Sequence, residues 1–322
     1  MKAAQIVAPQ TIELVEAPRP DPQEAGPDHV LVRVELGTLC GSDLPFFQRE
    51  FPSYPLPPGL SLHECVGTVV ASTSPRFREG DRVLAFPLKQ WGLGEYFLAS
   101  AHATAPLPEF EPLEVILLAQ PLGTIIWAFR KLGNLLHAHT VVLGQGPMGL
   151  LLDHFLSNLG AKTVIGLDLL DYRLEIAREK MRATHTVNVT REDPVEAVRE
   201  LTGGEMADLV VEAVGHNLET LNTCIDLVRP GGTILAFGVP DEEIYPLRFK
   251  ELFYRNLTLV CSVTPEAAKD YPLAMDMIMQ GRIEVRPLLT HRLPWTQAQR
   301  AFEMFLHKQD GVLKVVLDFA AG

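Results

Sequence analysis

Hydrophobic positions change their spacing partway along the chain. Up to about residue 110 apolar residues come in short runs or alternate with polar ones. Val30 to Glu35 (VLVRVE) follows period 2, while Cys65 to Val70 (CVGTVV) and Arg82 to Phe86 (RVLAF) are brief apolar stretches. Pro and Gly clusters such as PSYPLPPG, and the turn REGD, separate them. This pattern predicts a β-rich, turn-rich region, with a long, mostly buried helix over Pro112 to Leu132 leading out of it. From about residue 140 continuous apolar strands alternate with helical segments. TVVLG, KTVIGLD, THTVNV, DLVVEAVG, GTILAFGVP and LTLVCSV read as strands, and PMGLLLDHFLSNLG, DYRLEIAREK and DPVEAVRELTGG as helices between them. That alternation predicts an α/β unit with a parallel sheet covered on both faces. After about 264 come one helix, a Pro-rich turn, a second helix (TQAQRAFEMFLHK) and a last strand, LKVVLDF.

A length of 322 residues suggests two domains, and 47% hydrophobic with 21% charged residues allows a substantial core. The net charge of −12 argues against nucleic-acid or anionic-membrane partners, which require a basic surface. The first residues lack the basic, apolar and cleavage regions of a secretory signal, and no stretch is apolar enough to span a bilayer, so a cytoplasmic protein is expected. Cys40, Cys65, Cys224 and Cys261 lie too far apart for a C-x-x-C pair, which excludes a disulfide scaffold and a four-cysteine zinc knuckle. Cys65, Cys224 and Cys261 read as small buried residues. His102, His137, His139 and His291, without partners at ligand spacing, read as loop or surface residues.

Gly144-Gln145-Gly146-Pro147-Met148-Gly149 is a G-x-G-x-x-G between a buried strand and a helix, and Asp168 ends the next strand 19 residues after Gly149. In that context Gly144 makes the tight turn, Gly146 admits a pyrophosphate and Gly149 lets helix and strand pack closely. The phosphates then meet the helix N-terminus. Asp168 would accept from the ribose hydroxyls and repel a 2′-phosphate, which favours NAD over NADP. Arg173 would cover the adenine or stand as a solvated helix charge. In the first half, Cys40 sits in T-L-C-G-S-D, and His63 with Glu64 in S-L-H-E-C-V-G. Thiolate, imidazole and carboxylate suit zinc, and three protein ligands leave an open position; taken singly, the three read as a small buried cysteine, a hydrogen-bonded histidine and a capping glutamate.

The order C-G-S-D, P-x-x-x-x-x-H-E-x-x-G-x-V, F-R-E-G-D-R-V and G-x-G-x-x-G resembles the zinc-dependent medium-chain dehydrogenase/reductase family, and most of all its sorbitol and threonine dehydrogenases. The ending L-x-x-H-R-L-P-x-x-x-A-x-x-A-F fits as well, so the likeness covers nearly the whole chain. It implies a Rossmann doubly wound parallel sheet over residues 121–264. A discontinuous β-rich GroES-like catalytic domain would take residues 1–120 and 265–322, with a zinc in the cleft between them. Carried over by position, Cys40 and His63 are zinc ligands and Glu64 a ligand or an alternate one. Ser42 relays the alcohol proton, Thr124 touches the nicotinamide, and Gly238 with Val260 to Ser262 offers backbone contacts to the carboxamide. Lys314 reaches the pyrophosphate.

Three positions depart from the family pattern: Gln120 stands at the fourth ligand position, Pro45 replaces a distal relay histidine, and Leu62 replaces the glycine before the metal histidine. Gln120 would bind the zinc weakly through oxygen or hold its water. The lobe that carries four cysteines after G-D-R-V is missing here, so one catalytic zinc and no structural zinc are expected. The resemblance implies NAD-dependent interconversion of a secondary alcohol (polyol, sugar or amino alcohol) and its ketone by a homodimer or homotetramer. Two other readings stand beside it: a zinc-free quinone or enoyl-type reductase of the same superfamily, and an inactive NAD(H)-binding sensor or scaffold.

Overall fold

The structure is a computed structural model that describes residues 1–321. The chain forms two compact units. One comprises Met1–Gly123, Glu266–Met279 and the chain from Leu288 onward; the other comprises Thr124–Pro265 and Gln280–Pro287. No helix among the described residues is long and apolar enough to cross a membrane.

The first unit is built on a six-stranded sheet in the order Leu289–Pro294, Lys314–Asp318, His29–Thr38, Glu64–Ser72, Arg82–Pro87, Tyr96–Pro106. Tyr96–Pro106 also pairs with His29–Thr38, so four antiparallel strands close on themselves and leave no open edge between them. Alternation along the strands sends Val30, Val32 and Val34 into a core shared with Val69, Val83, Ala85 and Phe97. Register then places the candidate chemistry. Thr38 lies opposite Glu64, so Cys40, two residues beyond, and His63, one residue before, leave the sheet at the same end. On the other side Val316 lies opposite Thr38 in an antiparallel pair, which brings Lys314 to that end too. The single helix expected over 112–132 is two, Leu113–Leu117 and Ala119–Phe129. Pro121 carries no N–H to continue the ladder across the junction.

The second unit holds six parallel strands in the order Thr258–Cys261, Val228–Ala236, Ala207–Glu212, His139–Leu143, Thr163–Asp168, His185–Asn188. Counted along the chain this is 3-2-1-4-5-6 read from the other edge, the order of doubly wound dinucleotide-binding sheets. Every residue of the strands His139–Leu143 and Thr163–Asp168 is buried, as their continuous apolar runs require. Residues 280–287, placed by the sequence reading in the first domain, belong with this unit: Ile283 and Val285 are buried in it, and Glu284 N approaches His154 Nε2 at 3.5 Å.

Candidate metal centre and dinucleotide cradle

Cys40, His63 and Glu64 bring one ligand atom each to within 4.8 Å of the others, the one such group among the described residues. The turn Gly41–Asp43 folds back on Cys40: Asp43 N donates to Cys40 O at 3.0 Å and Cys40 N to Asp43 Oδ2 at 2.8 Å. Asp43 is fully buried, and its other oxygen takes Ser61 Oγ at 2.5 Å, Leu62 N at 3.0 Å and His63 Nδ1 at 3.2 Å. His63 thereby commits Nδ1 to a carboxylate and keeps Nε2 for a metal, the usual arrangement behind a zinc-bound histidine. Burial alone would lower the His63 pKa, but the Asp43 charge and hydrogen bond, with Cys40, raise it well above the ordinary 6.5. Burial would likewise raise Asp43, and His63 with the other donors holds it below the usual carboxylate range. At Cys40 burial and Glu64 oppose ionisation, yet Lys314 and His63 outweigh them and lower the thiol, favouring the thiolate that binds metal.

Leu62, the residue in place of glycine, sits in the left-handed region at φ 76° and is wholly buried. That conformation costs about 1–2 kcal/mol for a side chain. Its N–H to Asp43 and its apolar packing hold it there.

Lys314 departs from expectation. It does not extend toward a pyrophosphate but is buried in the first unit, donating to Glu64 Oε1 and Oε2 at 2.6 Å each and to Leu39 O at 3.0 Å. Thr38 Oγ1 also donates to Glu64. Glu64 is thus part of the metal cluster and of an ion pair at once. Gln120 is buried, with Nε2 3.5 Å from the hydroxyl of Tyr271, whose phenol burial pushes up while Gln120 opposes the shift. Ser42 is half-buried in the turn next to Cys40. The donor set fits zinc: a thiol biased toward thiolate, an imidazole with its second nitrogen fixed, and a carboxylate whose charge Lys314 shares. Sequence reasoning missed Asp43, although it closes the C-G-S-D motif, and missed Thr38 and Tyr271 altogether.

In the second unit the glycine fingerprint has the expected geometry. Gly144 has φ 95°, and a Cβ on Gly149 would lie 1.8 Å from Gly144 O. Around Gly146 the nearest atom to such a Cβ is Arg173 Nη1 at 3.9 Å, so packing within the chain does not require glycine there and the space suits an approaching phosphate. Pro147 opens the helix Pro147–Asn158, with Met148 in its first turn, and its free N–H groups form an anion site. Asp168 accepts from Gln145 N at 2.6 Å, Leu169 N at 2.7 Å and Leu170 N at 2.9 Å. Arg173 Nη1 lies 3.8 Å from Asp168 Oδ2, with its guanidinium over the Tyr172 ring. Gly238 N donates to Glu212 O, Val260 pairs with Leu235, and Ser262 Oγ accepts from Lys131 Nζ at 3.1 Å. Thr124 is half-buried on the helix Ala119–Phe129.

Two further expectations need correction. Cys261 is exposed, because the strand that carries it is the last of the sheet. His139 is buried at the start of its strand, with Nδ1 2.9 Å from Thr163 Oγ1 and Nε2 3.1 Å from Lys162 Nζ.

Comparison with known proteins agrees with this geometry. Residues 26–109 match the alcohol dehydrogenase GroES-like domain and residues 147–280 the zinc-binding dehydrogenase domain. An alcohol dehydrogenase of Cupriavidus necator is 30% identical over 98% of both chains, and a sorbitol dehydrogenase of Bacillus subtilis 27% identical over 98% of this chain and 97% of its own. The solved structure of the alcohol dehydrogenase TADH from Thermus sp. ATN1 superposes over 99% of both chains with a TM-score of 0.87 at 26% identity. Cluster, cradle and these likenesses together place the chain in the zinc-type alcohol dehydrogenases of the medium-chain dehydrogenase/reductase family, as an oxidoreductase.

Proposed function

We propose that the enzyme interconverts a secondary alcohol of the polyol, sugar or amino alcohol type and its ketone, using NAD(H) and one zinc per chain. The observation that carries this is the Cys40–His63–Glu64 group with the His63 ring fixed by Asp43. Zinc, when bound, supplies the Lewis acidity that eases ionisation of the alcohol and polarises the ketone. NAD(H) supplies the hydride acceptor or donor. The chain's own residues supply position and proton movement. Ser42, in the turn that follows Cys40, takes the proton of the substrate hydroxyl. Pro45 carries no titratable group, so the proton passes from Ser42 to water. Gln120, beside the Tyr271 hydroxyl, offers a neutral amide, so Cys40 and Glu64, the latter shared with Lys314, would supply the negative charge for the metal. Asp168 receives the adenosine ribose and disfavours a 2′-phosphate, which supports NAD. The sorbitol dehydrogenase likeness supports a polyol substrate.

The strand Thr258–Cys261 is the outer strand of its sheet, and Phe253 and Tyr254 just before it are 64% and 71% exposed. A homodimer formed by continuing that sheet would cover them. The protein as purified should contain one zinc per chain and reduce NAD with a secondary alcohol or polyol. Cys40→Ala should lose both zinc and turnover while still binding NADH. Full turnover by metal-free protein would overturn the proposal, and NADH binding with neither zinc nor turnover would mark a sensor instead.

A further inference from the structure

Behind the glycine fingerprint lies a buried polar pair. Asp153, on the helix Pro147–Asn158, is fully buried, and neither of its carboxyl oxygens has a hydrogen-bond partner. Gln145, also fully buried, is the one polar side chain among the described residues that bears on it, its amide N–H favouring the ionised form while burial favours the neutral acid. Gln145 Nε2 donates to Val142 O at 3.1 Å, which fixes the sense of the amide, while its Oε1 receives no donor. The strand beneath makes room for it: a Cβ on Gly166 would lie 2.9 Å from Gln145 Cδ and Nε2. Gln145 also donates its backbone N–H to Asp168 Oδ2 at 2.6 Å. Its amide is therefore part of the setting of the carboxylate that would meet the ribose.

An ionised Asp153 would be a charge in the core with no cation beside it, and the Gln145 amide would be the one donor to meet it. As a carboxylic acid it has one O–H to give and still one carbonyl oxygen to accept. One proton then meets both deficits, since the unmet acceptor is Gln145 Oε1 and the second Nε2 hydrogen can return to the acid.

We propose that Asp153 is a positioning residue for the dinucleotide loop: as a neutral acid it donates to Gln145 Oε1 and so holds Gln145, and through its backbone Asp168, in place for the cofactor. The reading of the loop as an NAD(H) site underlies this step. Two measurements test it. Infrared spectra at neutral pH should show the carbonyl stretch of a protonated carboxylic acid in the wild type and not in Asp153→Asn. NADH titration should show affinity weakened about tenfold in Asp153→Ala and largely restored in Asp153→Asn, whose amide can both donate and accept. Absence of the acid band, or Asp153→Ala binding NADH as the wild type does, would overturn the proposal. A wild-type chain with the acid band but no NADH binding would overturn the cofactor reading instead.

Discussion

Lys314 Nζ lies 2.6 Å from each carboxylate oxygen of Glu64, with side-chain exposures of 2% and 1%. The two residues are 250 positions apart and meet because the strand starting at Lys314 runs antiparallel beside the strand ending at Thr38. Burial alone would lower the lysine pKa, but Glu64, Cys40 and Asp43 raise it, so it stays charged. Removing one member of such a pair strands the other charge in the core. Lys314→Met is expected to lose about 3–5 kcal/mol of stability in urea denaturation. The double variant with Glu64→Gln should recover most of that loss. A single variant as stable as the wild type would mean that the pair is solvated and not buried.

Asp43 determines which nitrogen His63 presents. Asp43→Ala takes this acceptor from His63 Nδ1, Ser61 Oγ and Cys40 N, and leaves Leu62 N only Ser61 Oγ. Zinc affinity, measured against a competing chelator, is expected to fall by about 10–100-fold. Asp43→Asn keeps one acceptor oxygen and should fall less. Equal affinity in all three proteins would show that the ring is oriented by something else.

Local patterns in the sequence revealed much of this molecule. The alternating and continuous apolar runs give the closed β unit and the parallel sheet, and G-x-G-x-x-G after a buried strand gives the cradle, because each depends on neighbours within about twenty residues. Cys40, His63 and Glu64 became legible through motif order. The role of Lys314 did not, since it depends on strand register across most of the chain. The available signal was a lysine opening the apolar run KVVLD: in a strand that is buried throughout, a lysine needs an anion. Tyr271 carries no such signal, because an aromatic residue beside Pro272 on a helix reads as ordinary core. Cys261 was misread for a related reason: periodicity identifies a strand but does not say whether it lies at the edge of its sheet.

Asp168 receives three backbone N–H groups, so it shapes its own turn as well as the proposed ribose site. Asp168→Ser is expected to weaken NADH binding by about 10–100-fold, the range for losing hydrogen bonds to a charged group. Without the carboxylate a 2′-phosphate is no longer repelled, so the preference for NADH over NADPH should fall by at least about tenfold. Titration of both dinucleotides by fluorescence measures this. An unchanged preference would remove Asp168 as the discriminating residue.

Asp153 should leave a mark on stability against pH. Burial raises its pKa well above the ordinary 3.8, with the Gln145 amide opposing the shift. Between the unfolded and the folded values, the unfolded chain has released a proton that the folded chain keeps. The unfolded state therefore binds fewer protons, and stability falls as pH rises through that window. Asp153→Asn carries no titrating proton there. Its stability relative to the wild type should grow from about pH 4 upward, by up to about 1.4 kcal/mol per pH unit, and level off once pH passes the folded-state value. Below the unfolded value the two curves should run parallel. Urea denaturation of both proteins in steps of pH checks this, and curves that stay parallel up to neutral pH would show that Asp153 is already ionised in the folded protein.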